Sequence, residues 1–161
     1  MARGKGGMMR KAAMIVATCC GVGYFPFAPG TAGAAVGLIP AVLLARWPLL
    51  LAAATVALFL AGAAAGTAAE AALGRKDPPC VVVDEAVSAM ITFAWVPLAP
   101  WTLAAGFVLN RILDIVKPFP ADRLQALRGG WGIMMDDVVA GLYANLALRL
   151  AWALVSSQGA R

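Results

Sequence analysis

GFVLNRILDIVKPFPADRLQALRGGWGIMMDDVVAG, Gly106 to Gly141, is the stretch on which the reading of this chain turns. It places Arg111, Asp114, Lys117, Asp136 and Asp137 in a protein that is 62% hydrophobic. Ionisable groups beside apolar runs are costly unless they are paired, metal-bound or wet. Arg111, Asp114 and Lys117 follow one another at three-residue intervals, which puts them on one helix face, and Asn110 can share it. Pro118 and Pro120 stop that helix. A polar loop over 121–132 ends in Gly129-Gly130, and the next apolar segment opens with Asp136 and Asp137.

Composition points to an integral membrane protein. Mean hydropathy is +0.83, and 13% of residues are charged, against about 25% in soluble domains. At 161 residues the chain has room for one domain, 1–161, with a basic N-terminal tail at 1–11 and a C-terminal tail at 156–161. The net charge of +5 comes from scattered Lys and Arg without a basic stripe, which argues for positive-inside loops and against nucleic acid. The chain has no histidine, which excludes Ser-His-Asp hydrolysis, phosphohistidine chemistry and His-ligated zinc. Cys19, Cys20 and Cys80 form no C-x-x-C pair, and Ala86 stands where a cysteine phosphatase needs Arg. They read as buried, inert thiols.

Outward from the central stretch, the chain divides into apolar segments at about 32–45, 48–69, 80–99, 101–116 and 133–155. The expected fold is therefore an all-α, polytopic membrane bundle of four to five apolar segments, preceded by the Gly/Pro-rich loop GVGYFPFAPGTAG. Within that loop Thr31 reads as a helix N-cap and Gly30 as a point of close backbone approach, together a candidate phosphate contact. The run before it, AAMIVATCC, is too short for a span and lacks a clean cleavage site, so residues 1–11 are expected to be retained in the cytoplasm.

Alternating crossings place Arg3, Lys5, Arg10, Lys11, Arg75, Lys76, Lys117, Arg123 and Arg128 inside, and only Arg46 and Arg161 outside. Asp84 and Glu85 open the third segment, Asp114 closes the fourth, and Asp136 and Asp137 open the fifth. All five acids should then meet Arg111 and Lys117 at the cytoplasmic face. Carboxylates without His or Cys ligands suit hard cations, Mg²⁺ above all. Arg and Lys beside them suit phosphate. Hydrolysis of a lipid phosphate at headgroup depth is the chemistry this assembly favours. A helix-locking charge network and an ion-coupled carrier are the other readings of the same charges.

At these residues the chain resembles the phosphatidylglycerophosphatase A family of bacterial inner-membrane lipid phosphatases. The matching blocks are GVGYFPFAPGTAG, VVVDE, FVLNRILDIVKPFP and GGWGIMMDDVVAG, in the family's order over residues 21–141. The resemblance implies Mg²⁺-dependent removal of the terminal phosphate of phosphatidylglycerophosphate, giving phosphatidylglycerol and inorganic phosphate. It implies catalytic Asp84, Glu85, Asp114, Asp136 and Asp137, with Asp84, Glu85, Asp136 and Asp137 as metal ligands. Arg111, Lys117, Gly30 and Thr31 would bind substrate. Asn110 departs from the aromatic usual before the Arg, and Ala86-Val87-Ser88 departs from the bulkier residue and Gly usual after the acidic pair.

The mechanism expected is attack on phosphorus by a water activated by the cation and a spare carboxylate; a covalent aspartyl-phosphate is the rival route, which the sequence does not separate from it, and the absence of D-x-D-x-[TV] favours water. A CDP-alcohol phosphatidyl transferase would need D-G-x-x-A-R, which is missing. A small ion-coupled transporter would show internal repeats and midplane charges, and the chain has neither.

Overall fold

A computed structural model describes residues 3–158 of the chain, and no strand occurs among them. The helices are α1 (Arg3–Ala17), α2 (Pro29–Leu43), α3 (Pro48–Leu73), α4 (Val83–Thr92), α5 (Pro100–Val116), the short α6 (Ala121–Leu124) and α7 (Gly130–Gln158), with a 3-10 turn at Val22–Tyr24. Proline opens α2, α3 and α5, where its missing N–H costs nothing and its fixed φ suits the first turn. Gly74 closes α3 in the left-handed conformation, the usual role of glycine after a helix.

The bundle is built around α4. This helix has ten residues, eight of them buried, and packs against α2, α3, α5 and α7. Val83 and Val87 join α1, α3 and α7 in one apolar cluster through Ala17, Ala63, Ile133 and Met134. At its other end Phe93 packs with Ala41 of α2 and Leu148 of α7. A polar seam also runs through the bundle. Asn110 Nδ2 donates to Ser88 Oγ at 2.6 Å and Thr92 Oγ1 at 3.0 Å. Ser88 Oγ donates to the Asp137 carbonyl at 2.8 Å, and Asn145 Nδ2 donates to the Thr92 and Ala94 carbonyls. Each buried donor finds a partner, so the seam locks α4, α5 and α7 in register.

The number of spans and the C-terminal boundary differ from expectation. Among the described residues two helices, α3 with 26 residues and α7 with 29, are long and apolar enough to cross a membrane, against four to five expected segments. The third segment fails because only Val83–Thr92 is helical; ten residues rise about 15 Å, half of a bilayer core of about 30 Å. Its apolar residues face protein, a distinction hydropathy does not make. At 15 and 17 residues, α2 and α5 also fall short of a full span. The basic N-terminal segment is helical from Arg3, packs along α3, and donates from Arg10 Nη2 to the Ala72 carbonyl. At the other end, 156–158 continue α7 rather than forming a tail, and 159–161 lie outside the described residues.

Close packing of α2 on α4 depends on Gly37, where an added Cβ would collide with the backbone of Ala86. Backbone cannot swing aside as a side chain can. Gly37→Ala should therefore lower stability by about 1–3 kcal/mol, read as a lowered thermal midpoint in detergent. An unchanged midpoint would show that the α2–α4 contact is looser than described.

Candidate active site

Asp84 and Glu85 occupy the first turn of α4, and Arg111 and Asp114 the last two turns of α5, with Lys117 as its cap. Asp136 and Asp137 lie in the second turn of α7. The three helix ends converge on one cavity of about 380 Å³, which all seven of these side chains line. Gly30 lines it too, whereas Thr31 does not. Thr31 makes no cap: α2 begins at Pro29, its N-cap position is Ala28, and Thr31 is exposed in the first turn. The close approach expected at Gly30 is present, since an added Cβ would meet Glu85 Oε1 and Arg111 Nη2.

Within the cavity the charges sort into two groups. Lys117 Nζ bonds Asp136 Oδ2 at 2.5 Å, and Asp136 Oδ1 accepts the Asp137 N–H. Arg111 Nη1 lies 2.8 Å from Asp114 Oδ2. Burial alone would lower the Lys117 pKa, but its bond and ion pair with Asp136 outweigh that and raise it, so this ammonium stays charged. Asp84, Glu85 and Asp137 form the second group. One oxygen of each lies within 4.8 Å of the others. Asp136, expected as a ligand, is turned to Lys117 instead.

Several buried polar atoms in this cavity have no hydrogen-bond partner: Asp84 Oδ1, Glu85 Oε2, Asp137 Oδ2, and Arg111 Nε and Nη1. The Arg111–Asp114 contact is thus an ion pair without hydrogen-bond alignment. Burial pushes the Asp84 carboxyl well above its usual range, and the charges of Glu85 and Asp137 add to this. Glu85 is raised first by burial and then by Asp114, against opposing contributions from Asp84 and Arg111. Orphaned acceptors facing one another call for a cation, and orphaned guanidinium donors call for an anion. Three converging carboxylate oxygens match the donor set of a hard divalent ion.

Three loops frame the mouth, and each contributes a left-handed residue directly before a proline. Ala28 precedes Pro29, Asp77 precedes Pro78 and Lys117 precedes Pro118, all with φ of 48°. A side chain in that conformation is strained, and the following proline restricts it further. Such strain persists only where surrounding structure imposes it, typically at functional sites. The Asp77 N–H donates to Glu70 Oε1 at 3.0 Å, and Pro78 is buried. Asp77 also lines the cavity, a role hidden in the sequence because Gly74 to Pro79 reads as an ordinary polar turn. Of the cysteines, Cys19 is half-buried and its thiol is pushed up to about 11, first by burial and then by Glu85. Cys80 is also half-buried, whereas Cys20 is exposed, contrary to expectation.

The sequence model for phosphatidylglycerophosphatase A matches residues 15–152, a range that holds every residue of this cavity. A Bacteroides thetaiotaomicron protein, provisionally named a phosphatidylinositol-3-phosphatase, is 40% identical over 154 residues, covering 86% of this chain and 92% of that protein. Phosphatidylglycerophosphatase A of Haemophilus influenzae is 36% identical over 141 residues, covering 83% of this chain and 85% of its own. Its Escherichia coli counterpart is 43% identical over 72 residues, covering 44% of this chain and 42% of its own. No solved structure matches. With the matched range spanning the whole bundle and the charged cavity at its end, the chain belongs to the phosphatidylglycerophosphatase A family of lipid phosphatases.

Proposed function

We propose that this protein hydrolyses the terminal phosphate of phosphatidylglycerophosphate, yielding phosphatidylglycerol and inorganic phosphate in phospholipid biosynthesis, with Mg²⁺ as its cofactor. The observation that carries this reading is the pairing of unmet needs in one cavity: three buried carboxylate oxygens without donors and a buried guanidinium without an aligned acceptor. A cation alone would leave Arg111 Nε without an acceptor, and a phosphate alone would be repelled by the acids.

Asp84, Glu85 and Asp137 would hold the cation. Bound there, Mg²⁺ supplies charge neutralisation for the incoming phosphate and polarises phosphorus. With Nη1 against Asp114, Arg111 offers its unpartnered Nε and the Nη2 on the same guanidinium edge to the phosphate oxygens as a planar fork. Lys117, kept charged by Asp136, adds a second positive contact at the mouth. Asp136 has both oxygens engaged and serves to position Lys117 and the α7 backbone. Asp114 presents Oδ2 to Arg111 and takes the proton of the attacking water on Oδ1. As water oxygen bonds to phosphorus, the ester bond to the glycerol oxygen breaks, and that oxygen leaves as the alcohol after gaining a proton from solvent. Gly30 keeps the space beside Glu85 and Arg111 clear.

We place the cavity at the cytoplasmic face of the bacterial inner membrane. Arg75, Lys76 and Arg128 lie in the loops, and Arg123 in the short α6, at the cavity's end of the bundle, while Arg46 lies in the loop at the opposite end. That asymmetry follows the positive-inside rule. Helices α3 and α7 cross the bilayer, and the shorter α2 and α5 complete a multi-pass arrangement between them.

Phosphate release from phosphatidylglycerophosphate in detergent should require Mg²⁺. Asp137→Asn should lower kcat by about 10²-fold or more, the scale of losing one electrostatic contact to the transition state, with folding retained. Mg²⁺-independent release, or an active Asp137→Asn protein, would refute the assignment. Arg111→Lys keeps the charge but loses the fork, so kcat/KM should fall about 10- to 100-fold, in line with roughly 1.5–3 kcal/mol for a charged hydrogen bond. Full activity in that variant would remove Arg111 from phosphate binding.

A further inference from the structure

Beside the acid cavity lies a second groove of about 550 Å³. Pro29, Pro78 and Pro79 line both spaces, so the two adjoin across a wall of prolines. The groove is otherwise aromatic and aliphatic, with Tyr24, Phe25 and Leu73 along it, and Arg75 is its single charged lining residue. Among the described residues Arg75 makes no ion pair and no side-chain hydrogen bond. Tyr24 and Phe25 are 64% and 54% exposed, large apolar surface left open next to a cation. The wall itself is rigid: Pro29 and Pro78 each follow a left-handed residue, and Pro78 is buried.

We infer that this groove is the subsite for the phosphodiester and the adjoining glycerol of a phospholipid whose terminal monoester sits in the acid cavity. This rests on the phosphatase reading above and adds how substrate is selected. A headgroup carrying a monoester phosphate, joined to diacylglycerol through a diester phosphate, has two anions of different kinds. The acid cavity, with its cation and Arg111, suits the more highly charged monoester. A lone Arg in an apolar groove suits the singly charged diester, which it binds as a planar fork. Tyr24, Phe25 and Leu73 then cover the glycerol and the first acyl carbons, with about 25 cal/mol gained per Å² of apolar surface removed from water. The two lipid phosphates named for the relatives, phosphatidylglycerophosphate and phosphatidylinositol 3-phosphate, share this monoester-plus-diester pattern. Phosphatidate, with only a monoester, does not.

Binding of phosphatidylglycerol, a diester lipid without a monoester, is the direct test, read by native mass spectrometry of the full chain in detergent. Arg75→Gln should weaken that binding roughly tenfold or more, the scale of a charged hydrogen bond. Arg149→Gln, an exposed change on α7 far from the groove, should leave it within about twofold on the expectation for surface substitutions. Tyr24→Ala should weaken binding by a smaller factor. The kinetic counterpart is the ratio of kcat/KM for phosphatidylglycerophosphate over phosphatidate, which should fall roughly tenfold in Arg75→Gln. Equal phosphatidylglycerol binding by wild type and Arg75→Gln, or an equal loss on both substrates, would overturn the subsite. Arg75-dependent binding by a protein that releases no phosphate would leave the subsite standing and reject the reaction.

Discussion

Buried carboxylates at the start of a buried helix are the constraint on which this structure depends. Asp84 and Glu85 sit in the first turn of α4, where a helix N-terminus favours negative charge. The same helix is enclosed by four others, so the acids are cut off from water on most sides. Desolvation disfavours their charged forms, and the neighbouring Asp137 adds to the cost for Asp84. The helix dipole cannot offset three converging carboxylates. A cation can, and the rest of the site is arranged as though one belongs there. Asp114 and Asp136 are held by Arg111 and Lys117, which leaves Asp84, Glu85 and Asp137 facing one another.

The scaffold beneath that arrangement is rigid for identifiable reasons. The seam from Asn110 through Ser88 to the Asp137 carbonyl runs directly under the acids and ties together the three helices that present them. A shift of α5 relative to α4 would break the Asn110–Ser88 bond and move Arg111, one residue on, away from Glu85. One contact between α4 and α5 is polar here, and the charged groups around it keep their places. At the mouth, the three left-handed residues before proline fix the loops that carry Ala28, Asp77 and Lys117. The cavity is thus preformed on every side by helix ends or strained turns.

Much of this was legible in the sequence. Acid positions at helix starts and ends, combined with alternation of chain direction, were enough to predict that seven side chains meet at one end of a bundle, and they do. Periodicity three and four residues apart placed Asn110, Arg111 and Asp114 on related faces of α5. What was hidden has a common physical origin: hydropathy measures apolarity without saying what covers it. The run around α4 looked like a membrane crossing because its valines and alanines are apolar, yet protein rather than lipid surrounds them. Glycine disfavours helix, yet the Gly-rich start is helical from Arg3 because packing against α3 overrides that propensity. Asp136 and Asp137 look equivalent as neighbours, but successive helix positions point about 100° apart, so one meets Lys117 and the other the acid pair. Asp77 was concealed in a turn whose left-handed backbone no local pattern announces.

The chemistry of the cavity depends on where a divalent cation binds. Anomalous diffraction from crystals grown with Mn²⁺ in place of Mg²⁺ would locate it directly. One strong signal within bonding distance of Asp84, Glu85 and Asp137 together, with Asp136 still on Lys117, is the result predicted. Ordered Mn²⁺ elsewhere, or a cavity in which the three carboxyls close on one another with no cation between them, would contradict it.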